Sequence, residues 1–251
     1  RQEPRTAAIR SASQHARQTP FLRVIREIVW RDPQVRTFFV LVSLTVLGTL
    51  GQDVLLEPYG ALALGLTVAQ TTRLTAIWGA GVILAMLAAG VWLIRRFGYR
   101  PALRAGLLLC VAVFAGLILA GVMGSAGLFM MLVFLLGMGT GLASAGLLTA
   151  VIEFTTVVRA GLLMGVWGVA HELGEAVGGL FGGVIVDAVR AVTGGNALAA
   201  YGTVFAAEGL LLLVALALLN RVQVSQALVQ AEAERAASTP SPAEPSFTPA
   251  R

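Results

Sequence analysis

The run VRTFFVLVSLTVLGTLGQDVLLEPYG, from Val35 to Gly60, decides the fold class. Its apolar part reaches the roughly 20 residues that a bilayer crossing requires. It ends in Gln52, Asp53, Glu57 and Pro58, two carboxylates and an amide followed by a proline. An acid facing hydrocarbon loses its hydration, so such side chains turn toward a packed interior, a wet cavity or a partner. Asp53 and Glu57 are four apart and would share one face of a continuing helix. Pro58 disfavours helical backbone at Glu57 and removes a ladder hydrogen bond, so the spacing predicts that the helix stops there, with both acids at its end.

The rest of the chain carries the same signal. Of its 251 residues, 57% are hydrophobic and 12% charged, and the mean hydropathy is +0.82, far from a soluble domain. Six apolar spans are read: Val35 to Leu56, Ala69 to Ile94, Ala102 to Val122, Gly127 to Ile152, Leu162 to Val186 and Leu198 to Leu219. The expected architecture is an all-α membrane protein, a six-transmembrane-helix bundle over residues 35–220.

All basic residues are arginine, and the formal charge is +5. In a soluble protein that balance would raise nucleic-acid binding, but here the arginines sit in short segments between spans and read as topology determinants. All of them except Arg73 and Arg190 fall on one side of the six spans. The positive-inside rule makes that side, with both termini, cytoplasmic. Gln52 to Gly60 is then expected at the opposite end of the first span.

Residues 1–34 read as a basic cytoplasmic linker, in which Phe21, Leu22, Ile25, Ile28 and Val29 recur at helical spacing opposite Arg23, Arg26 and Glu27. An amphipathic helix lying on the membrane surface fits, as does a soluble helix packed on another domain. Residues 221–251 hold Pro240, Pro242, Pro245 and Pro249 among Ser, Thr and Ala, and are expected to be a disordered cytoplasmic tail. The chain opens on Arg1 with no signal-peptide pattern, as expected of a processed piece or of the second part of a longer protein. The lone Cys110 has no intrachain partner and reads as packing.

Three polar groups stand near the middle of the fifth span. His171 and Glu175 are four apart, and Glu172 is three from Glu175, so the three can line one sector of a helix. Neighbouring carboxylates in a low dielectric disfavour joint ionisation. Their pattern fits a proton relay, a metal-centre ligand set or a buried structural pair. A zinc-protease helix is excluded, because its second histidine would stand where Glu175 is. Glu208 lies inside the last span, and is either a functional acid or a protonated one bonded to a neighbouring helix. Glu153 reads as interfacial.

Gly174, Gly178 and Gly182 repeat every four residues, and Gly137, Gly139 and Gly141 cluster in the fourth span, a spacing that lets membrane helices approach closely. No phosphate-cradling loop and no nucleophile with a nearby base occurs. Enzymatic chemistry and a resident metal are not expected.

The second-to-third connection, Gly90 to Pro101, holds Arg95, Arg96, Gly98 and Arg100 and resembles the cytoplasmic loop motif of the major facilitator superfamily, with Arg95 where that motif has aspartate. A basic linker followed by six spans is similar to the second half of such a transporter. The string Gln52 to Tyr59, with Trp30 to Pro33, Thr71 to Gly79 and Ala160 to Gly168, resembles the PucC, or bacteriochlorophyll delivery, family over about Phe21 to Asn220. That resemblance implies a factor that handles (bacterio)chlorophyll as cargo during assembly of light-harvesting antenna polypeptides. It implies a bacterial inner membrane, cytoplasmic or intracytoplasmic, and a partner that is an N-terminal six-helix half or a second copy. His171 could then supply an axial ligand to a chlorin magnesium, and Asp53 and Glu57 would shape or gate the non-cytoplasmic end. The cluster His171, Glu172 and Glu175 departs from the family pattern, which is small and neutral there. A proton-coupled exporter of a small organic molecule, driven through Glu172, Glu175 or Glu208, is the competing expectation, and a purely structural assembly partner a third.

Overall fold

The computed structural model describes residues 33–153 and 160–221. The expected linker, its amphipathic segment and the tail beyond Arg221 lie outside the described residues. Among the described residues every regular element is helical. In chain order these are α1 (Pro33–Leu50), α2 (Asp53–Leu64), α3 (Val68–Ala88), a π-helical turn (Ala89–Leu93), α4 (Ile94–Phe97), α5 (Tyr99–Met123), α6 (Ala126–Glu153), α7 (Ala160–Val192) and α8 (Ala197–Arg221).

The short connections follow from local chemistry. Gly65 and Gly124 cap α2 and α5 in left-handed backbone, with φ of 67° and 63°. The Thr67 N–H donates to Gln70 Oε1 at 2.9 Å at the start of α3, and the Ala199 N–H donates to Asn196 Oδ1 at 3.0 Å at the start of α8.

Among the described residues, five segments are long and apolar enough to cross a membrane: Arg36–Leu64, Val68–Phe97, Tyr99–Met123, Ala126–Glu153 and Ala197–Arg221. The chain is a multi-pass, all-α membrane protein. The expected fifth span, Leu162 to Val186, falls inside α7, a single helix of 33 residues that also carries Asp187 and Arg190. This helix is not among those five segments.

One expectation is overturned. Pro58 does not end the first span; it lies inside α2, and the helix is interrupted earlier, at Gly51 and Gln52. Proline inside a helix costs about 3 kcal/mol, and here it sits beside the deepest anchor of the bundle. Tyr59 is wholly buried, its ring 5.7 Å from Phe129, 5.6 Å from Tyr201 and 5.1 Å from Phe205, and its hydroxyl donates to the Leu117 carbonyl at 2.9 Å. Those contacts tie α2 to α5, α6 and α8 and hold it helical through the proline. The span therefore continues to Leu64, and Gln52 lies near its middle rather than at its outer end.

Glycines set the helix spacing. On α7, Gly174 faces Val46, Gly178 faces the Gly51 backbone and Gly182 faces Leu55, so the every-fourth repeat is the seam with α1 and α2. On α6, Gly137 and Gly141 meet α3 at Trp78 and Val82, while Gly139 meets α5 at Cys110. The packing role read for both glycine groups is what the bundle shows, and Cys110 is buried within it.

Candidate functional site: the helix break and the acidic face

Two polar regions emerge, and they do not combine the residues as the sequence grouped them. The first is the interruption between α1 and α2. The Gly51 N–H donates to the Leu47 carbonyl at 3.2 Å, and the Gln52 carbonyl accepts from the Leu55 and Leu56 N–H groups at 2.8 and 3.0 Å. The Gln52 side chain is buried and donates through Nε2 to the Thr49 carbonyl at 2.6 Å, while the Thr49 hydroxyl donates to the Thr45 carbonyl at 2.7 Å. The Thr45 and Thr49 carbonyls thus accept from nearby side chains, and Gln52 itself keeps right-handed helical backbone at φ −78°, ψ −9°.

Glu208 of α8 joins this break rather than the His171 cluster. A methyl group placed on Gly51 would stand 3.0 Å from Glu208 Oε1 and 3.3 Å from the Gly178 Cα, so carboxyl, break and α7 meet at one point. Three oxygens in this part of the bundle have no hydrogen-bond partner: Glu208 Oε2, Gln52 Oε1 and the Thr45 hydroxyl. The approach of Glu208 to Gly51 was not legible in the sequence, because no spacing rule connects two positions so far apart in the chain.

The second region is one face of α7. His171 is half-buried, with its imidazole tilted 51° to the Trp167 indole at 5.3 Å between centroids. Glu172 and Glu175 are exposed, beside exposed Leu173, Val177 and Phe181. His171 is thus the most buried of the three, at the edge of the glycine seam through Gly174 and Gly178, with Glu172 and Glu175 on the open side.

Other expected positions fall as follows. Asp53 opens α2, and its side chain lies outside the described residues. Glu57 is exposed and accepts from the Thr75 hydroxyl of α3 at 3.3 Å, and Gly60 packs against Leu74, so two of the strings that carry the family resemblance pack on each other. At the other membrane face Arg95 and Arg96 are exposed on α4, Arg96 stacks over Phe97, and Arg100 donates to the Tyr99 hydroxyl at 3.4 Å. Gly98 stands between them at φ 79°, ψ 177°, backbone that only glycine adopts freely. Arg104 bonds Asn220, closing α5 onto the end of α8. Sequence reasoning missed Tyr59 as an anchor; its one signal was an aromatic ring placed directly after a proline in an apolar run.

The profile of the family described as PUCC protein matches residues 1–227. The chain belongs to the PucC family. Among curated relatives, it is 36% identical over 189 residues to Protein PucC of Rhodobacter capsulatus, covering 70% of this chain and 40% of that protein. It is 36% identical over 194 residues to Protein PucC of Cereibacter sphaeroides, covering 73% of this chain and 40% of that one. A third similarity, 31% over 211 residues, is to a Rhodobacter capsulatus protein named Bacteriochlorophyll synthase 44.5 kDa chain, covering 77% and 46%. The PucC-family chain thus spans less than half the length of these relatives.

Proposed function

We propose that this chain takes part in assembling light-harvesting antenna complexes, handling bacteriochlorophyll or chlorophyll in the membrane and passing it to antenna polypeptides. The PucC family membership supports this reading, as does a relative whose name carries bacteriochlorophyll. The observation that carries it is on α7. A half-buried imidazole lies 5.3 Å from an indole, on a long helix whose other side is left uncovered by the bundle. A neutral imidazole nitrogen is a good axial donor to the magnesium of a chlorin. The exposed Leu173, Val177 and Phe181 give the same helix apolar surface for a wide ring or a partner helix.

In this reading the chain performs no covalent chemistry. Its work is to hold a flat apolar cargo in the bilayer, next to the polypeptides that receive it. The arginine distribution orients both termini toward the cytoplasm, in the inner or intracytoplasmic membrane of a phototrophic bacterium. The remainder of a six-helix partner half, or a second copy, would pack against the α7 side.

The test is purification from a host that makes the pigment. Wild-type protein should carry chlorin absorbance and His171→Ala should lose it, with both remaining monodisperse in detergent. A colourless wild-type preparation from such a host overturns direct binding. Crosslinking to antenna subunits without any pigment would leave a role in helix packing alone.

A further inference from the structure

We infer that the surface where α3 passes through the π-helical turn into α4 and α5 seats an anionic phospholipid, its headgroup on Arg95 and Arg96 and its acyl chains along the exposed stripe above them. This surface is separate from the α7 face, so its fate and that of the pigment reading are independent.

The span Val68–Phe97 runs for 30 residues, longer than the roughly 20 that a crossing requires, so its last turns reach headgroup level. Along it Leu84, Leu87, Val91 and Trp92 are all exposed and recur at the spacing of one helix face. The stripe ends in exposed Arg95 and Arg96, so apolar surface gives way to positive charge in one direction along the helix. Phe97, also exposed, meets the Trp92 ring edge-to-face at 5.9 Å and lies under the Arg96 guanidinium at 5.7 Å. Tryptophan beside arginine at the end of a span is the pattern of a membrane–water interface. A guanidinium stacked on a ring keeps its N–H edge for a phosphate.

The neighbouring elements add to this charge. Gly98 turns the chain at φ 79°, and α5 opens with Arg100 and Arg104 and no acidic residue in its first turn. The bond from Arg104 to Asn220 brings the end of α8, with exposed Arg221, to the same face. Gly139 meets Cys110 and Gly146 meets Leu103, so α6 runs toward the start of α5, and its last residue, Glu153, is the acid described on this side. One carboxylate stands among five arginines. An anionic leaflet attracts each arginine near its surface by roughly fivefold in binding. A soluble anion or an acidic peptide satisfies the arginines but has no use for Leu87, Val91 and Trp92, which face hydrocarbon. A zwitterionic lipid covers the stripe but brings its own cation against Arg95 and Arg96. An anionic diacyl lipid meets both requirements, in the order in which the helix presents them.

The test uses tryptophan fluorescence of the full chain in vesicles of phosphatidylglycerol and phosphatidylcholine, with bromine on the acyl chains of one lipid or the other as a contact quencher. Trp92 is 61% exposed on the stripe itself, and the emission lost in Trp92→Phe isolates its signal. At equal mole fractions, brominated phosphatidylglycerol should win the place beside Trp92 by about fivefold or more over brominated phosphatidylcholine. Arg95→Gln with Arg96→Gln should bring that ratio near unity, whereas Arg95→Lys with Arg96→Lys, which keeps the charge, should retain most of it. Either single glutamine change should fall between, and serves if the double variant does not fold. Raising salt to roughly 1 M, where the screening length is about 3 Å, should reduce the ratio in wild-type protein without any substitution. Equal quenching by the two lipids in wild-type protein, or a ratio that the glutamine changes leave intact, overturns the site. Loss of the preference on adding millimolar inorganic phosphate at constant ionic strength also overturns it, and leaves a site for a soluble anion.

Discussion

Placing a methyl group on Gly178 should weaken the bundle, and placing one on Gly183, five residues along the same helix, should not. A Cβ at 178 would lie 2.8 Å from the Gly51 Cα, 3.4 Å from the Leu47 carbonyl oxygen and 3.5 Å from the Gly51 nitrogen, whereas nothing stands within 4 Å of one at 183. The obstacle at 178 is backbone, which cannot rotate aside. Ordinary contact begins at 3.4 Å, so α7 must retreat by roughly 0.6 Å, and overpacking of this kind costs about 1–3 kcal/mol. Alanine also gains helix propensity over glycine, on the order of 1 kcal/mol, but equally at both positions. The difference between the two variants therefore isolates the clash: about 1–3 kcal/mol, a factor of roughly 5 to 150 in the folded-to-unfolded ratio. Gly182→Ala should fall between them, because its neighbour is the Leu55 Cδ1 at 2.6 Å, the end of a side chain that can turn. Thermal unfolding of the detergent-purified chain, followed by helical circular dichroism, measures the order 178, 182, 183. Equal loss at 178 and 183, or none at either, would refute the seam between α7 and the helix break.

Two further substitutions probe the scaffold. Gly121→Ala puts a methyl on the Tyr59 hydroxyl and should destabilise by about 1–3 kcal/mol, and adding Tyr59→Phe should recover part of that loss although Tyr59→Phe alone costs about 1 kcal/mol; additive losses in a double-mutant cycle would contradict the contact. Gly98→Ala must adopt φ 79°, ψ 177°, at a cost of about 1–3 kcal/mol, and is expected to loosen the turn between α4 and α5, read as faster trypsin cleavage after Arg96 with unchanged membrane insertion.

The membrane class, the helix positions and the glycine seams were legible because they rest on local rules of hydropathy and spacing. The α5, α6 and α8 boundaries differ from the expected spans by a few residues, and the second span runs through α3, the π-helical turn and α4 to Phe97. The first span was misjudged for a reason that local rules cannot see. Pro58 is the strongest helix breaker in the run, and Gly51 and Gln52 look milder. Tyr59, locked among Phe129, Tyr201 and Phe205, reverses that order by tertiary packing. The same limit separated Glu208 from its surroundings. Hydropathy marks a mid-span acid as unusual, yet only the folded bundle brings it to Gly51 and leaves Glu172 and Glu175 on the open side of α7.

That division of the acids also says which side of the bundle meets protein or water. The uncovered face of α3 presents Ile83, Leu84 and Leu87, which lipid solvates without penalty. The uncovered face of α7 presents Glu172 and Glu175 near the middle of that helix, and a carboxylate facing lipid there would cost several kcal/mol. Two such groups on one helix cannot both rest against hydrocarbon in a bundle whose net stability is only about 5–15 kcal/mol. Cover by polypeptide, by a polar-edged cargo or by a wet cavity would remove that cost on α7, whereas α3 needs no cover. His171 stands at the boundary of that face, packed on Trp167 and open on its other side. A cargo or partner helix that engages this chain thus has a physical reason to arrive along α7, which places its first contacts beside the one imidazole in the described bundle.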